Sequence, residues 1–455
     1  MNKVAVRTLW LACAVATGAR GADGDLDASF GVGGVVLDPT AFANYPGFAM
    51  QSDGRLILCD TRIASTSGYD FYVARFDANG APDATFGEGG AVLIAFGSGI
   101  DDFDDSCDAV AVQADGKIVL AGTRVTPGFP LPTFAEFAVA RIEADGAPDT
   151  TFGAGTGTTH FAFAGFDQGG GANAVAVDAQ GRIVVAGYAS GTRNTDFAVV
   201  RLLPDGTLDP AFGTGGLVTV DFGTYDTARA VVIDDSQRTL VTGIADSDAA
   251  VVRLLADGSR DPAFGDAGIA HAGFDRLPAH SGWANGLVVD HRGRIVVAGA
   301  ASIYDVTAPV LDMGIARFLD DGSLDASFGS SGIATVPFDL ADAGGGADVA
   351  FGVVEASDGR IVLAGSAEYG ANGYGLAAAA RLDESGTPDA SFGQAGKAVF
   401  DFGAGDSDDQ WFNKPLLQGG RVVVAGGLIV WGGASPGGDL LVRLENDRIF
   451  AAAFE

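Results

Sequence analysis

A five-residue signature, Asp-x-x-Phe-Gly, recurs seven times in this chain, with Phe at positions 30, 86, 152, 212, 264, 328 and 392. A period of fifty to sixty-odd residues marks stacked units that cannot bury their own apolar faces alone. Each unit continues in a fixed order. A Gly-x-Val stretch is followed by a variable loop, then by an Ala/Val run such as Ala109–Val112, then by a tight turn such as Asp53-Gly54, Asp115-Gly116 or Asp358-Gly359. A second apolar run, a second variable loop and a third run follow, the third always with Arg near its end: Arg75, Arg141, Arg201, Arg253, Arg317, Arg381 and Arg443. The runs hold four to eight residues, are rich in Val and Ile, and alternate with turns that Gly supplies at positive φ; these are strands in hairpins. No helical 3.6-residue stripe of useful length appears after the first twenty residues.

Four strands per unit and seven units predict an all-β fold, a seven-bladed β-propeller of four-stranded blades. Blades packed face to face bury both faces of each strand, so strands read as unbroken Ala/Val/Ile/Leu runs instead of alternating with polar residues. The first unit lacks an Arg strand before it and the last lacks a Gly-x-Val strand after it. The strand around Val35–Leu37 is therefore expected to complete the C-terminal blade and close the ring. In six units the Arg stands eight residues before the signature Asp, as in Arg75 and Asp83, which predicts a cross-strand ion pair. Arg443 has Ala451 at that offset, so Asp27 from the other end of the chain is its expected partner, with Phe454 a rival for the slot of Phe30.

The units resemble the delta-60 repeat, a family of bacterial repeats treated as a propeller of unknown function. The likeness rests on stretches such as Leu324-Asp325-Ala326-Ser327-Phe328-Gly329, Asp358-Gly359-Arg360-Ile361-Val362-Leu363-Ala364-Gly365 and Ala380-Arg381-Leu382. The inner strand and its turn are more distantly similar to NHL-type propellers. The resemblance implies a propeller, export and no established activity, and it brings no catalytic residues. The unit at 230–243 departs from it, with Asp235-Ser236-Gln237 where Gly is usual.

Residues 1–21 read as a secretory signal peptide: Lys3 and Arg7, an apolar run from Leu9 to Ala16, then Ala19 and Gly21 before the expected cut. Residues 22–455 then form one domain, exported to the periplasm or beyond and monomeric. No later stretch reads as a membrane span. Cys59 and Cys107 remain after the cut; Cys59 occupies a slot that holds Ala121, Ala186 and Ala298 elsewhere, which favours a buried free thiol over a bridge.

Composition narrows the function. Lys+Arg number 27 against 58 Asp+Glu, a net charge of −31, which opposes binding to nucleic acid and to anionic membranes. The Gly clusters open no helix and are turn glycines, not phosphate loops. His160, His271, His280 and His291 have no metal-ligand spacing. The long variable loops emerge on one rim and the Asp-Gly turns on the other, so the loop rim is where binding is expected. Its acids include Asp101, Asp102, Asp104, Asp105 and Asp108 in one unit, Asp401, Asp406, Asp408 and Asp409 in another, and Asp339, Asp342 and Asp348 in a third. Solvated, solubilising loops are the favoured reading of these acids; the sharper one makes them candidate Ca²⁺ ligands, since hard cations want several carboxylates together. Tyr69, Phe129, Phe134, Tyr188, Tyr304, Tyr369, Tyr374 and Trp431 are candidate contacts for a carbohydrate or protein ligand on the same rim. The expected function is a non-catalytic binding module; the alternative is a propeller enzyme, a lyase or hydrolase, with His271 or His280 and acids at the channel mouth.

Overall fold

The computed structural model describes residues 22–40, 45–64, 68–97, 104–126, 134–223, 225–274, 282–305, 308–340, 346–370, 373–402, 408–430 and 437–446, with backbone alone at 64, 303–305 and 308–310. The expected signal segment 1–21 lies outside them, as do Asp101, Asp102, Phe129, His280, Asp342, Asp406, Trp431 and Phe454; Tyr304 is described by its backbone.

The described residues are all β, apart from a 3-10 turn at Gly153–Gly155. Strand β1 (Val35–Asp38) precedes a series of four-stranded antiparallel meanders. The first is β2–β5 (Gly47–Met50, Leu56–Ala64, Gly68–Phe76, Ala91–Ile94), the second β6–β9 (Ser106–Val112, Ile118–Thr126, Phe134–Ile142, Thr158–Phe161). Then come β10–β13 (Gly169–Val177, Ile183–Ser190, Thr195–Leu202, Leu217–Val220) and β14–β17 (Thr227–Ile233, Thr239–Ala245, Asp248–Leu254, Ile269–His271). These are followed by β18–β21 (Trp283–Val289, Ile295–Asp305, Ala308–Phe318, Ile333–Val336) and β22–β25 (Val349–Glu355, Ile361–Tyr369, Tyr374–Leu382, Lys397–Phe400). The chain ends with β26–β28 (Asp408–Gln418, Arg421–Val430, Gly438–Leu444), and β1 pairs antiparallel with β28 in the register Val35↔Val442 to complete that sheet.

The expectation of a seven-bladed propeller needs a correction. Hydrogen bonding gives five separate four-stranded sheets and one of eight strands, β6–β13. The junction is a single parallel bridge, Gly169 to Ala135. It forms because Gly169, at φ +89°, brings its backbone so close to Ala135 that a Cβ would meet the Ala135 carbonyl at 2.0 Å. The first strands of the meanders contact one another in a closed order, β2, β6, β10, β14, β18, β22, β26 and back to β2, and so surround an axis. Where they crowd it, only small residues fit: a Cβ on Gly47 would stand 2.8 Å from the Ala109 Cα.

Apolar cores lie between consecutive meanders. One holds Ala109, Val119, Phe137 and Val139 against Ala172, Val175, Val185 and Val200; others repeat this around the ring. Each fully buried Val, Leu or Phe contributes about 1.5–3 kcal/mol, and the burial of both faces explains the unbroken apolar runs.

The turn rim carries one network seven times. Arg75, Arg141, Arg201, Arg253, Arg317 and Arg381 each donate Nε–H to the signature Asp eight residues on, at 2.6–2.9 Å. Arg443 donates to Asp27 at 2.6 Å, across the whole length of the chain. Every guanidinium sits 4.4–5.0 Å from the centroid of the signature Phe, and each of those Phe side chains is 0% exposed. Phe30 therefore fills the slot over Arg443; its expected rival Phe454 lies outside the described residues. Each Arg also reaches the next unit through Nη1, as in Arg201 to the Ala256 carbonyl at 2.5 Å and Arg443 to that of Ala78 at 2.8 Å. The Gly after each Phe donates to the next unit too, Gly31 to Asn79 and Gly393 to Asp23, both at 2.7 Å. Asp23-Gly24 thus supplies, from the N-terminal side, the Asp-Gly turn that the last unit lacks. The same hydrogen bonds hold Asp27 below the usual carboxylate range: burial pushes it up, and Ser29 and Arg443 more than reverse that.

Cys59 on β3 and Cys107 on β6 are bridged, with Cα atoms 5.8 Å apart. This overturns the expectation of a free thiol at Cys59. An alanine-sized slot says that a small residue fits, but not that a second sulfur faces it from the neighbouring meander.

Candidate functional site

On the loop rim the chain must return from the outermost strand of one meander to the first strand of the next, and the turning backbone leaves N–H groups that need acceptors. A side chain at the start of the inner strand supplies one. Asp105 Oδ2 accepts from the Phe96 amide at 3.1 Å, Asp226 Oδ2 from Phe222 at 2.6 Å and Asp348 Oδ2 from Phe338 at 2.6 Å. In the last meander Gln410 Oε1 accepts from Phe402 at 2.6 Å. Two of the expected Ca²⁺ candidates, Asp105 and Asp348, are thus loop caps. Burial pushes Asp348 up to about 6.

The remaining candidates are scattered. Asp104 is exposed, Asp408 is buried at the start of β26, and Asp409 accepts the Gly375 amide at 3.0 Å. Among the described residues the one group of three carboxylates whose oxygens all lie within 4.8 Å of one another is Asp196, Asp221 and Asp226, a group no sequence motif announced. Burial, then Asp221 and Asp226, push Asp196 up to about 6, and burial also raises Asp226. Much of the group's capacity is already committed: Asp226 also accepts from the Gly223 and Asp246 amides, and Asp196 from Asn194 Nδ2 at 2.7 Å. Ca²⁺ takes six to eight oxygens, so these three carboxylates supply only part of a shell.

The axis presents a different arrangement. Five inner strands carry a one-residue β-bulge at the same slot, between two small or paired residues: Asp108, Asn173, Arg229, Asn285 and Phe351. In β26 the break spans Asn413 and Lys414. A bulged residue leaves the ladder, and here it turns along the axis wall. Asn173 Nδ2 reaches the Ala228 carbonyl of the next inner strand at 2.8 Å; Asn285 reaches Ala350 at 2.8 Å and Asn413 reaches Pro46 at 2.9 Å. Three slots therefore hold staples between strands. The others hold an acid, a guanidinium, an aromatic ring and, beside Asn413, an ammonium.

Phe351 and Arg229 meet a tyrosine from beside another strand. Tyr45, immediately before β2, packs at 5.0 Å from the Phe351 ring and 5.5 Å from Trp411. β22, which carries Phe351, is not a neighbour of β2 in the ring, so Tyr45 leans over the mouth of the axis. Arg229, from β14 on the far side, interacts electrostatically with the phenols of Tyr45 and Tyr225. Tyr225 in turn interacts with Tyr188, as does Asp108. Tyr45 and Tyr225 are 53% and 57% exposed, and Arg229 and Lys414 are exposed by area. Burial nevertheless pulls both cations down and pushes Asp108 up to about 6. Open area and strong desolvation coexist because these groups face a space walled by protein.

Of the expected rim aromatics whose side chains are described, only Tyr188 belongs to this group. Tyr69, Phe134 and Tyr369 begin or end strands in three different meanders, and Tyr374 is half-buried opposite Tyr369. Tyr45, Tyr225, Arg229, Phe351, Trp411 and Lys414 escaped sequence reasoning. One signal was available: a single variable residue inside an otherwise constant Ala-x-Ala or Ala-x-Gly run. The described histidines lie elsewhere. His160 and His271 are on outer strands beside Glu136 and Asp248, and His291 is in a hairpin turn against Glu355. A cavity of about 830 Å³ opens between β2–β5 and β6–β9, lined by Gln51, Asp53, Arg55, Arg75 and Gln113. It belongs to the turn rim, where Arg75 and Arg55 are already paired with Asp83 and Asp53. Among the described residues no helix is long and apolar enough to cross a membrane.

One family model matches repeated stretches of the chain. The family model described as "Domain of unknown function (DUF5122) beta-propeller" matches six stretches, 51–86, 113–152, 180–212, 238–264, 293–328 and 356–392. These six stretches are similar to the repeats of that β-propeller family. No curated protein matches the sequence. Among solved structures, the chain is similar to polysaccharide lyase Uly1 (11% identity, 94% of each chain covered, TM-score 0.47). It is also similar to Drosophila Semaphorin 1b extracellular domains 1–2 (8% identity, 93% and 88% covered, TM-score 0.41). A third likeness is to Cellvibrio cellulosa alpha-L-arabinanase (12% identity, 64% and 94% covered, TM-score 0.34). At these scores the likenesses carry no argument about function.

Proposed function

We propose that this chain is an exported, non-catalytic binding module whose ligand sits on the loop rim, at the mouth of the axis. Residues 1–21 act as the export signal, and residues 22–455 form one ring of seven blades, with β6–β9 and β10–β13 counted as two. The observation that carries the reading is the row of inner-strand bulges. A slot that is structurally constant and chemically varied is what a repeat scaffold offers a ligand. Tyr45 and Tyr225 add exposed rings beside it, and aromatic faces suit sugars or an anchoring protein side chain. The Cys59–Cys107 bridge supports an oxidising destination. The outer-strand and turn positions of His160, His271 and His291 support binding over acid–base catalysis. A calorimetric screen of the full chain against oligosaccharides tests the reading. A ligand is expected whose affinity falls at least tenfold in Tyr45→Ala; ligands bound equally well by that variant would refute the assignment to the axis mouth.

A further inference from the structure

We infer that the axis mouth takes a ring-shaped ligand bearing an acid group, an acidic sugar unit, with Arg229 and Lys414 holding the anion and Tyr45 and Phe351 the ring. This rests on the reading of the axis mouth as the binding site. In a chain of net charge −31, cations are scarce and the buried ones on the turn rim have carboxylate partners, as Arg75 has Asp83 and Arg443 has Asp27. Arg229 and Lys414 have none among the described residues, although both stand at the inner wall, where desolvation disfavours an unpaired charge. Their placement is enforced by the fold, since each occupies the break in an inner-strand ladder. Lys414 lies against Gly352, next to Phe351: a Cβ on Gly352 would come within 3.1 Å of the Lys414 Cα. The guanidinium offers a planar fork to a carboxylate or sulfate. The exposed Tyr45 ring, tilted 51° to Phe351, offers a face to the C–H side of a pyranose. A metal cation would meet positive charge on the inner wall here. An extended polyanion such as nucleic acid would have to cross the acids of the loop rim. A short acidic glycan satisfies both constraints: the outer negative field slows its approach, and the two cations supply the hold.

The test is titration calorimetry of the full chain with tetragalacturonate, with its methyl ester and with glucose 6-sulfate. The inference expects tetragalacturonate or the sulfated sugar to bind, whichever source of the anion is correct. It expects the methyl ester to bind at least tenfold more weakly than tetragalacturonate if the carboxylate is that source. It also expects Arg229→Gln and Lys414→Gln each to cost the bound acidic probe about tenfold, with thermal melting unchanged or raised because a desolvated charge is removed. The ester arm leaves the protein untouched, so it stands if a variant fails to fold. No binding of either acidic probe at millimolar concentration, or tight binding unchanged in both variants, overturns the inference. If a neutral oligosaccharide binds instead and Tyr45→Ala abolishes that binding, the acid assignment falls while the axis-mouth reading stands. If Tyr45→Ala is also without effect on the bound ligand, both fall.

Discussion

The two rims of the ring use the same residue type to opposite ends. On the turn rim, carboxylates such as Asp27, Asp83, Asp325 and Asp389 face guanidinium groups and lie below the usual range. On the loop rim Asp108, Asp196, Asp312 and Asp348 are pushed up to about 6, first of all by burial. One rim is a stabilising device repeated seven times; the other bears unfavourable charge near the residues assigned to ligand binding. Stability and function are thus divided between the ends of the same strands.

The contrast is sharpest at the closing pair. Asp27→Ala leaves Arg443 buried without its carboxylate and should destabilise the chain by about 3–5 kcal/mol, read from denaturant unfolding. A loss below about 1 kcal/mol would mean that ring closure depends on β1 pairing alone. The disulfide acts next in size. It spans 48 residues, and the chain-entropy argument gives at most about 4 kcal/mol for such a loop, so Cys59→Ala combined with Cys107→Ala should cost about 2–4 kcal/mol. Unfolding curves that coincide with and without reductant would contradict this.

The pH profile separates the rims directly. Raised loop-rim acids bind more protons folded than unfolded, so their share of stability is present below about pH 4 and lost as pH rises through about 6. Lowered turn-rim acids behave in the reverse sense: their contribution is present above about pH 4 and lost on further acidification. Melting temperature should therefore rise from pH 7 to about pH 5 and fall in stronger acid. Asp196→Asn should gain about 1 kcal/mol at pH 7 and nothing at pH 4; an equal gain at both would place its effect outside ionisation. The smallest change concerns the irregular turn. Gln237 adopts φ 61°, the left-handed region where other units have Gly, and Gln237→Gly should stabilise by about 0.5–1 kcal/mol.

How much of this was legible depends on which rim is asked. The turn rim could be read from sequence because its parts are local. Arg and Asp stand eight residues apart across one hairpin, and even the split unit revealed Asp27 as the partner of Arg443 by the gap it left. The axis mouth could not be read so. Tyr45, Arg229 and Phe351 share no motif, lie on strands that are not neighbours in the ring, and meet only because inner strands converge on the axis. The acids show the same limit: in a list of carboxylates nothing reveals that Asp105 and Asp348 each cap a backbone amide. Cys107, set in an inner strand, gave no hint of Cys59 in the strand of another meander.

Hydrogen–deuterium exchange of the full chain, with and without tetragalacturonate, tests the division of labour most directly. The account predicts slowed exchange in peptides covering 45–50, 225–233, 349–355 and 408–414, and unchanged exchange at turns such as Asp53-Gly54, Asp115-Gly116 and Asp358-Gly359. Protection confined to those turns would place the ligand on the wrong rim and contradict it.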